Sequence, residues 1–379
     1  MKTAQLAEVC DITMGQAPSG ETYNDTGVGL PLVAGAGDFG DLYPVPKKYT
    51  TARNVRTSQP GDIIVGIRAS IGGKVWADGT YCLGRGVAGL RARADLLDQK
   101  YLWHWVTHSS DRLAAKGRGA TFLQVNKQDV AEMEILLPPI EEQRRIAAAL
   151  DAADALRAKR RQALAKLDTL TESIFHNMFG WAAATEYPVV PLNDLIDDGR
   201  PICYGILKPG PDLKDGHPYV RVVDMKDGGI DPHGVRRTSA EISHQYRRSL
   251  LRSGDLLMSI RGHVGRLAEV PPELDGANIT QDSARIGVAG ANPRYVLAYL
   301  RTADAQRWMA RNTKGVAVRG LNISDLRRLP IVQPPREEQD TFVDSARAVD
   351  RVGAETRGSQ AQLDNLFASL QQRAFRGEL

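Results

Sequence analysis

Several features that mark specialised proteins are scarce in this sequence. There are three cysteines, Cys10, Cys82 and Cys203, odd in number and far apart. That excludes a disulfide framework and any Cys-x-x-Cys metal knuckle. No stretch approaches the ~18 consecutive apolar residues that a membrane helix needs. The opening Met1-Lys2-Thr3-Ala4-Gln5-Leu6-Ala7-Glu8 lacks the apolar core of a secretory signal. Charge of one sign is scarce too. Lys and Arg number 49 against 45 acidic residues, a net +4 that excludes a histone-like polycation. The expected location is cytoplasmic, with no membrane partner. The 42% apolar and 25% charged content is that of an ordinary globular chain. At ~100–200 residues per domain, the length suggests two or three domains.

Catalytic signatures are equally thin. Gly35-Ala36-Gly37-Asp38-Phe39-Gly40 matches a nucleotide-binding string, which needs a helix after it so that backbone N–H groups face phosphates. Pro44 and Pro46 follow closely and preclude that helix. Gly73-Lys74-Val75 lacks the Ser/Thr of a phosphate loop. His104 and His108 stand at metal-ligand spacing, but Trp105 replaces the Glu of a zinc-protease motif. They are expected to be surface or half-buried histidines. Asp212 and Asp224 mimic a metal-nuclease pattern, absent from the earlier part of the chain. The reading is of a chain with no metal, no cofactor and no chemistry of its own.

What the sequence does contain is one unit written twice. Gly61-Asp62-Ile63-Ile64 through Ile67-Arg68 answers Gly254-Asp255-Leu256-Leu257 through Ile260-Arg261, at offset 193. Lys116-Gly117 is matched to Lys314-Gly315 at 198, and Asn126 and Asp129 to Asn322 and Asp325 at 196. Pro138-Pro139-Ile140-Glu141-Glu142-Gln143 answers Pro334-Pro335-Arg336-Glu337-Glu338-Gln339, and the offset stays at 196 to Phe179/Phe375. Length changes collect in the first part of each unit and none in the second. Loops tolerate such changes; a helix whose face must stay in phase does not.

The expected domains are therefore residues 1–138, a helix over 139–180, a linker (181–190) and second domain over 181–335, and a second helix over 336–379. Two proline-led, acidic first turns open the helices. Two stripes mark the first helix, one through Ile146, Ala153 and Leu167, the other through Leu156 and Leu170. Val349 and Leu363 answer the first stripe, Val352 and Leu366 the second. Gly353 and Gly358 weaken the second helix, at ~1 kcal/mol each against Ala. The two rods are expected to pair as a coiled coil.

The globular parts read as mixed α/β. Short strands are expected at Leu30–Val33, Asp62–Ile67, Gly73–Trp76, Tyr219–Val223 and Asp255–Ile260, with one helix per unit at Asp98–Lys116 and Pro293–Lys314. Two polar loops carry side chains suited to nucleic acid. One holds Lys116, Arg118, Thr121, Gln124 and Asn126; the other holds Lys314, Arg319 and Asn322. Arg reads guanine, Asn or Gln reads adenine, and Lys suits phosphate. An ordinary solvated loop is the competing reading. Arg68 and Arg261, each following a strand, either contact phosphate or form internal ion pairs.

At this point the sequence resembles a known family, the specificity subunits of type I restriction–modification enzymes. The two Gly-Asp-apolar-Ile-Arg segments, the two Pro-Pro-x-Glu-Glu-Gln junctions and the terminal Ala374-Phe375-Arg376-Gly377-Glu378-Leu379 carry the resemblance, over essentially the whole chain. It implies an α/β (α+β) fold: two similar target recognition domains joined by two long helices in an antiparallel coiled coil, a pseudo-two-fold repeat. It implies a non-catalytic subunit reading a bipartite, gapped site in double-stranded DNA. Two modification subunits, carrying S-adenosylmethionine, and restriction subunits, using ATP and Mg, are the implied partners. The alternatives are a coiled-coil scaffold for protein or carbohydrate, and a nuclease using Asp212 and Asp224.

Overall fold

The computed structural model describes residues 2–119, 122–180, 186–226, 228–315 and 319–379. It separates into two compact units: the chain up to Gln162 together with Arg357–Leu379, and Ala163–Thr356. Each unit thus combines one globular part, the first half of the helix on one side of it and the far half of the other helix.

The first unit is built on an antiparallel sheet ordered Cys10–Met14, Val87–Ala92, Ile63–Gly66, Lys74–Trp76. The second repeats it as Cys203–Tyr204, Ser283–Ile286, Leu256–Ser259, Leu267–Glu269. The register repeats as well: Ile63 faces Leu90, and Leu256 faces Ile286. The central strands Ile63–Gly66 and Leu256–Ser259 are buried along their whole length because both faces are covered. One face packs on the helix Gln99–Ala115 in the first unit and Pro293–Arg301 in the second, through Tyr101, Leu102 and Trp105 or Tyr295 and Val296. A two-stranded ribbon closes each unit: Lys2–Gln5 with Glu134–Leu137, and Val189–Pro191 with Pro330–Val332.

Several expectations are corrected. Pro293–Lys314 is two helices, Pro293–Arg301 and Ala303–Asn312. Thr302 breaks it by turning extended (ψ 150°) and capping the Ala305 N–H with its hydroxyl. The strand expected at Tyr219–Val223 ends at Val220, where a tight turn, Val222–Asp224, takes over. The linker expected over 181–190 gives up Val189 and Val190 to the closing ribbon; its residues 181–185 lie outside the described residues.

The long helices run Ile140–Phe179 and Arg336–Arg376, 40 and 41 residues. Each opens on the same lock. The Pro139 carbonyl accepts the Glu142 and Gln143 N–H groups, and the Pro335 carbonyl those of Glu338 and Gln339. Gln143, 1% exposed, accepts the Asp98 N–H at 2.9 Å and donates to the Leu96 and Pro138 carbonyls. Gln339 does the same with the Asn292 N–H and the Pro334 carbonyl, each at 2.8 Å. Asp98 and Asn292 cap the domain helices, so one buried amide ties each spacer helix to its globular part.

The helices carry a seam, shifted by one residue from half of the expected pattern. Ile146 is buried, and Leu167 and Leu363 are half-buried, along the first stripe. Leu156, Leu170, Val352 and Leu366, assigned to the second stripe, are 56%, 40%, 48% and 53% exposed. The covered positions are one residue later: Leu150, Arg157 and Leu164 in one helix, Gly353, Gln360, Phe367 and Ala374 in the other. Arg157 hid this phase. Within the first unit its guanidinium bonds Asp154 at 2.9 Å and Asp364 at 2.6 Å, and lies 4.4 Å from the Phe367 ring centre. An arginine so paired and stacked occupies a core position without an orphaned charge. Ile146 and Leu150 share a core with Ala374 while Arg157 meets Asp364, so these segments run antiparallel. In the second unit Phe342 lies 5.2 Å from Phe175 and 6.0 Å from Phe179.

The histidine pair belongs to this packing. His104 is buried rather than at the surface, and its Nε2 meets Asp151 of the spacer helix at 2.8 Å. His108 stacks on Phe375 at 5.1 Å. Lys74, from the rejected phosphate-loop string, donates to the Trp103 carbonyl and Thr107 hydroxyl and lies 3.8 Å from the Trp103 ring centre.

Two predictions follow from this packing. Leu150→Ala is expected to cost about 2–5 kcal/mol of stability and Leu156→Ala under about 0.5, read by chemical denaturation. Equal costs would restore the unshifted phase. Burial lowers the pKa of His104 against the opposing pull of Asp151, and lowers that of His108. The unfolded chain therefore takes up protons that the folded chain resists. Stability is then fully present above the ordinary histidine value of about 6.5 and lost as pH falls below it. The fall in melting temperature between pH 7.5 and 5.5 is expected to shrink in His104→Asn.

Candidate nucleic-acid interface

In the first unit the chain leaves the domain helix, turns, and returns beside the end of the strand that carries Arg68. Arg118 and Gln124 exchange both backbone hydrogen bonds at 3.0 Å, closing the loop. Gln124 also bridges to Arg68: the Val125 N–H reaches the Ile67 carbonyl, and the Ala69 N–H reaches the Leu123 carbonyl. Three of the expected residues, Arg68, Arg118 and Gln124, are thereby brought to one place. Arg118 and Gln124 are exposed and Arg68 half-exposed.

The second unit repeats the arrangement. Lys314 and Gly320 exchange backbone bonds at 2.9 Å, and Gly320 bridges to Arg261. Leu321 N–H reaches the Ile260 carbonyl and Gly262 N–H the Arg319 carbonyl. Arg261, Lys314 and Arg319 are exposed side by side.

The geometry revises the matching of the copies. Lys314 stands where Arg118 stands, not Lys116. Each closes on the residue six later, each precedes a positive-φ glycine (Gly119 at 138°, Gly315 at 110°), and each pairs with the same buried carboxylate. The offset of 196 therefore begins at Arg118, and the closed loops are equal in length. Those carboxylates are Asp129, 3.4 Å from Arg118, and Asp325, which takes Lys314 at 3.3 Å and also Arg328. Hydrogen bonds from Arg328 and Lys314 hold the Asp325 carboxyl below its ordinary range.

Other expected residues have structural work. Lys116 donates to the Asp129 carbonyl at 3.4 Å. Asn126 caps the helix Lys127–Ala131, its amide oxygen accepting the Asp129 N–H at 2.9 Å, so that oxygen is not free to read a base. Asn322 starts the matching turn without a side-chain cap bond and is exposed. Thr121 lies outside the described residues. Sequence reasoning missed Phe122 and Leu123, 57% and 47% exposed, with Arg68 5.8 Å from the Phe122 ring centre. An exposed aromatic beside two arginines was the available signal; apolar side chains at such places contact thymine methyls or wedge base steps.

Asp212 and Asp224 are separately committed. Asp212 accepts the Arg237 N–H, and Asp224 takes the Arg221 backbone and guanidinium at 2.7–3.0 Å. Gly35–Gly40 is a tight turn whose Asp38 accepts the Ala34 N–H, and no helix follows it. Among the described residues there is no group of three or more metal-binding side chains, and no helix long and apolar enough to cross a membrane.

The architecture is a duplicated α/β domain, each copy followed by a long helix and carrying the same exposed loop arrangement. Residues 1–167 match the family model of the type I restriction modification DNA specificity domain. The chain is 27% identical over 411 aligned residues to the type I restriction enzyme EcoBI specificity subunit of Escherichia coli, covering 99% of this chain and 85% of that one. It is 34% identical over 145 residues to the putative MjaX specificity subunit of Methanocaldococcus jannaschii, covering 38% and 34%. A structure solved for assembly of a type I restriction–modification system superposes with a TM-score of 0.65 at 20% identity, covering 100% of this chain and 98% of that one. The S subunit from M. genitalium superposes at 0.58 and 17%, covering 99% and 96%, and likewise shares the fold. The chain thus resembles the specificity subunits of type I restriction–modification enzymes over its whole length, and residues 1–167 match their specificity domain. It is a non-catalytic DNA sequence-recognition subunit, and nothing found supports the scaffold alternative.

The loops leave one backbone test. Ala69, after Arg68, holds a left-handed φ of 60°, where the second unit has Gly262 at 71°. Open space surrounds Gly262. Ala69→Gly is expected to raise stability by up to about 1 kcal/mol and Gly262→Ala to lower it by about as much. No change in either would mean the backbone relaxes there.

Proposed function

We propose that each unit reads one half of a bipartite DNA site through its closed loop and the adjacent arginine. The observation that carries this is the repetition of one backbone arrangement, Arg68–Arg118–Gln124 and Arg261–Lys314–Gly320, which places Arg68, Arg118 and Gln124 in one copy and Arg261, Lys314 and Arg319 in the other at the same place in one topology. In this reading Arg68 and Arg261 touch phosphate or guanine, Gln124 reads a base, and Lys314 and Arg319 serve the second half. Arg118 and Lys314 keep one end on a buried carboxylate, which limits their reach and orients them. Asn322 is the more available of the two asparagines. The domains act as recognition domain (residues 1–138), spacer helix (139–180), recognition domain (181–335) and spacer helix (336–379), and the length-locked helices set the gap between half-sites.

The partners follow from the family. Two modification subunits would bring S-adenosylmethionine and methylate adenine; restriction subunits would bring ATP and Mg. The chain would work in the cytoplasm, where the DNA is. Binding would weaken steeply with salt, as phosphate neutralisation does.

A genome-wide map of methylated adenine, with and without this gene, tests the role. Loss of one gapped two-part motif on deletion is the expected result. Replacing residues 1–138 with a relative's equivalent is expected to change one half of that motif only. An unchanged map, or a change in both halves, would contradict the assignment.

A further inference from the structure

The second unit holds an open pocket of about 400 Å³ lined by Arg200, Arg247, Arg248, Arg252 and Arg285, with Asp275 as its acidic lining residue. Arg285 comes from the central strand Ser283–Ile286 and is 2% exposed. Its Nη2 donates to the Pro201 and Arg248 carbonyls at 3.0 and 3.3 Å. Its Nε and Nη1 have no partner among the described residues. A buried guanidinium normally meets a carboxylate, because burying a cation alone is costly.

The nearby carboxylates have other partners. Asp255 takes both terminal nitrogens of Arg200, at 2.9 and 2.6 Å. Asp275 accepts the Ser253 N–H at 3.0 Å. Both guanidiniums crowd Gly287: a Cβ there would lie 3.3 Å from the Arg285 Nη1 and 3.4 Å from the Arg200 Nη1. Two like charges thus converge on one glycine, with a single carboxylate between them.

The fold does not demand this arrangement. By strand register Arg285 faces Leu257, and its counterpart Gly89 faces Ile64. In the first unit the carboxylate equivalent to Asp255 is Asp62, and Arg91 neutralises it at 2.6 Å. Position 91 corresponds to Gly287 by the same register. The second copy therefore keeps the carboxylate, supplies its cation from Arg200, and adds a further buried cation that nothing among the described residues matches.

We propose that this pocket is an oxyanion site that takes a phosphate group, with the unmatched guanidinium of Arg285 beneath it and Arg247 and Arg248 at its rim. An anion held by the rim arginines would offset the charge of the buried guanidinium, which the chain's own carboxylates leave unmatched. With Arg200 paired to Asp255 and Arg252 4.0 Å from Asp197, Arg247, Arg248 and Arg285 remain against Asp275, an excess of positive charge that favours a doubly charged phosphate over a carboxylate. The phosphate comes either from a DNA backbone or from a free phosphate-bearing molecule. The site stands independently of which bases the chain reads.

The test uses the purified full chain, with chloride replaced by inorganic phosphate at constant ionic strength. A saturable rise in melting temperature is expected. Arg285→Met is expected to abolish the rise while melting no lower than the parent in chloride, since it removes an unmatched buried charge. Should that variant not fold, the exposed double variant Arg247→Ser, Arg248→Ser serves instead. Its half-saturating phosphate is expected to rise about tenfold, with melting in chloride unchanged. A phosphate response no greater than that in chloride, or one retained in full by the variants, overturns the proposal. Duplex DNA distinguishes the sources. Competition between phosphate and duplex, with about tenfold weaker duplex binding by the variant, assigns a backbone phosphate. Unaltered duplex binding, with the phosphate response lost, assigns a free molecule.

Discussion

The buried amide at the head of each spacer helix is the contact on which the rest depends. Gln143 holds the Asp98 N–H and the Leu96 and Pro138 carbonyls; Gln339 holds the Asn292 N–H and the Pro334 carbonyl. Three segments meet at one side chain: the turn before the domain helix, the proline-led exit of the closing ribbon, and the first turn of the spacer. Leaving such groups unmade in the interior costs the full desolvation penalty of each. A second pair of bonds reinforces the joint, from the Tyr101 and Tyr295 hydroxyls to the Leu136 and Val332 carbonyls. The orientation of each reader on its helix is therefore set near the chain's most repetitive residues. The loops, at the other end of the domain helix, are free to differ.

The difference between the copies shows how far that freedom goes. Sheet order, register and loop closure are common to both. Within that frame, Gln124 becomes Gly320, Arg118 becomes Lys314, and Ala69 becomes Gly262. Gly89 becomes Arg285, deep in the sheet. The first copy puts an exposed Phe122 and a glutamine at its loop; the second puts an arginine beside a glycine. Two copies of one architecture thus present different side chains at the same place, as the proposed reading of two unlike half-sites requires.

Much of this was legible in the sequence. The duplication, the Pro-Pro-x-Glu-Glu-Gln junctions and the offset held at 196 located both long helices to within three residues at every end. The candidate arginines could be named because they recur beside glycines at strand ends. What failed was what depends on distant contacts. A stripe at 149, 156, 163 and 170 and one at 150, 157, 164 and 171 are equally periodic. Only Asp364 and Phe367, brought in from some two hundred positions away, decide that Arg157 faces inward. The same holds for the composition of the units, where each helix begins in one and ends in the other. Asn126 looked like a base reader because caps and readers share residue types. Lys314 was matched to Lys116 by identity, whereas the shared carboxylate partner matches it to Arg118.

The account's central claim is that one amide joins reader to spacer. Backbone hydrogen exchange in Gln143→Met measures this most directly, because the substitution roughly keeps volume while removing every hydrogen bond that the amide side chain makes. The account predicts that Asp98–Trp105 and Ile140–Leu150 lose protection together, while the strand Val87–Ala92 keeps it. Unchanged protection in both segments, or loss confined to the helix start, would contradict it and place the coupling in the apolar contacts alone.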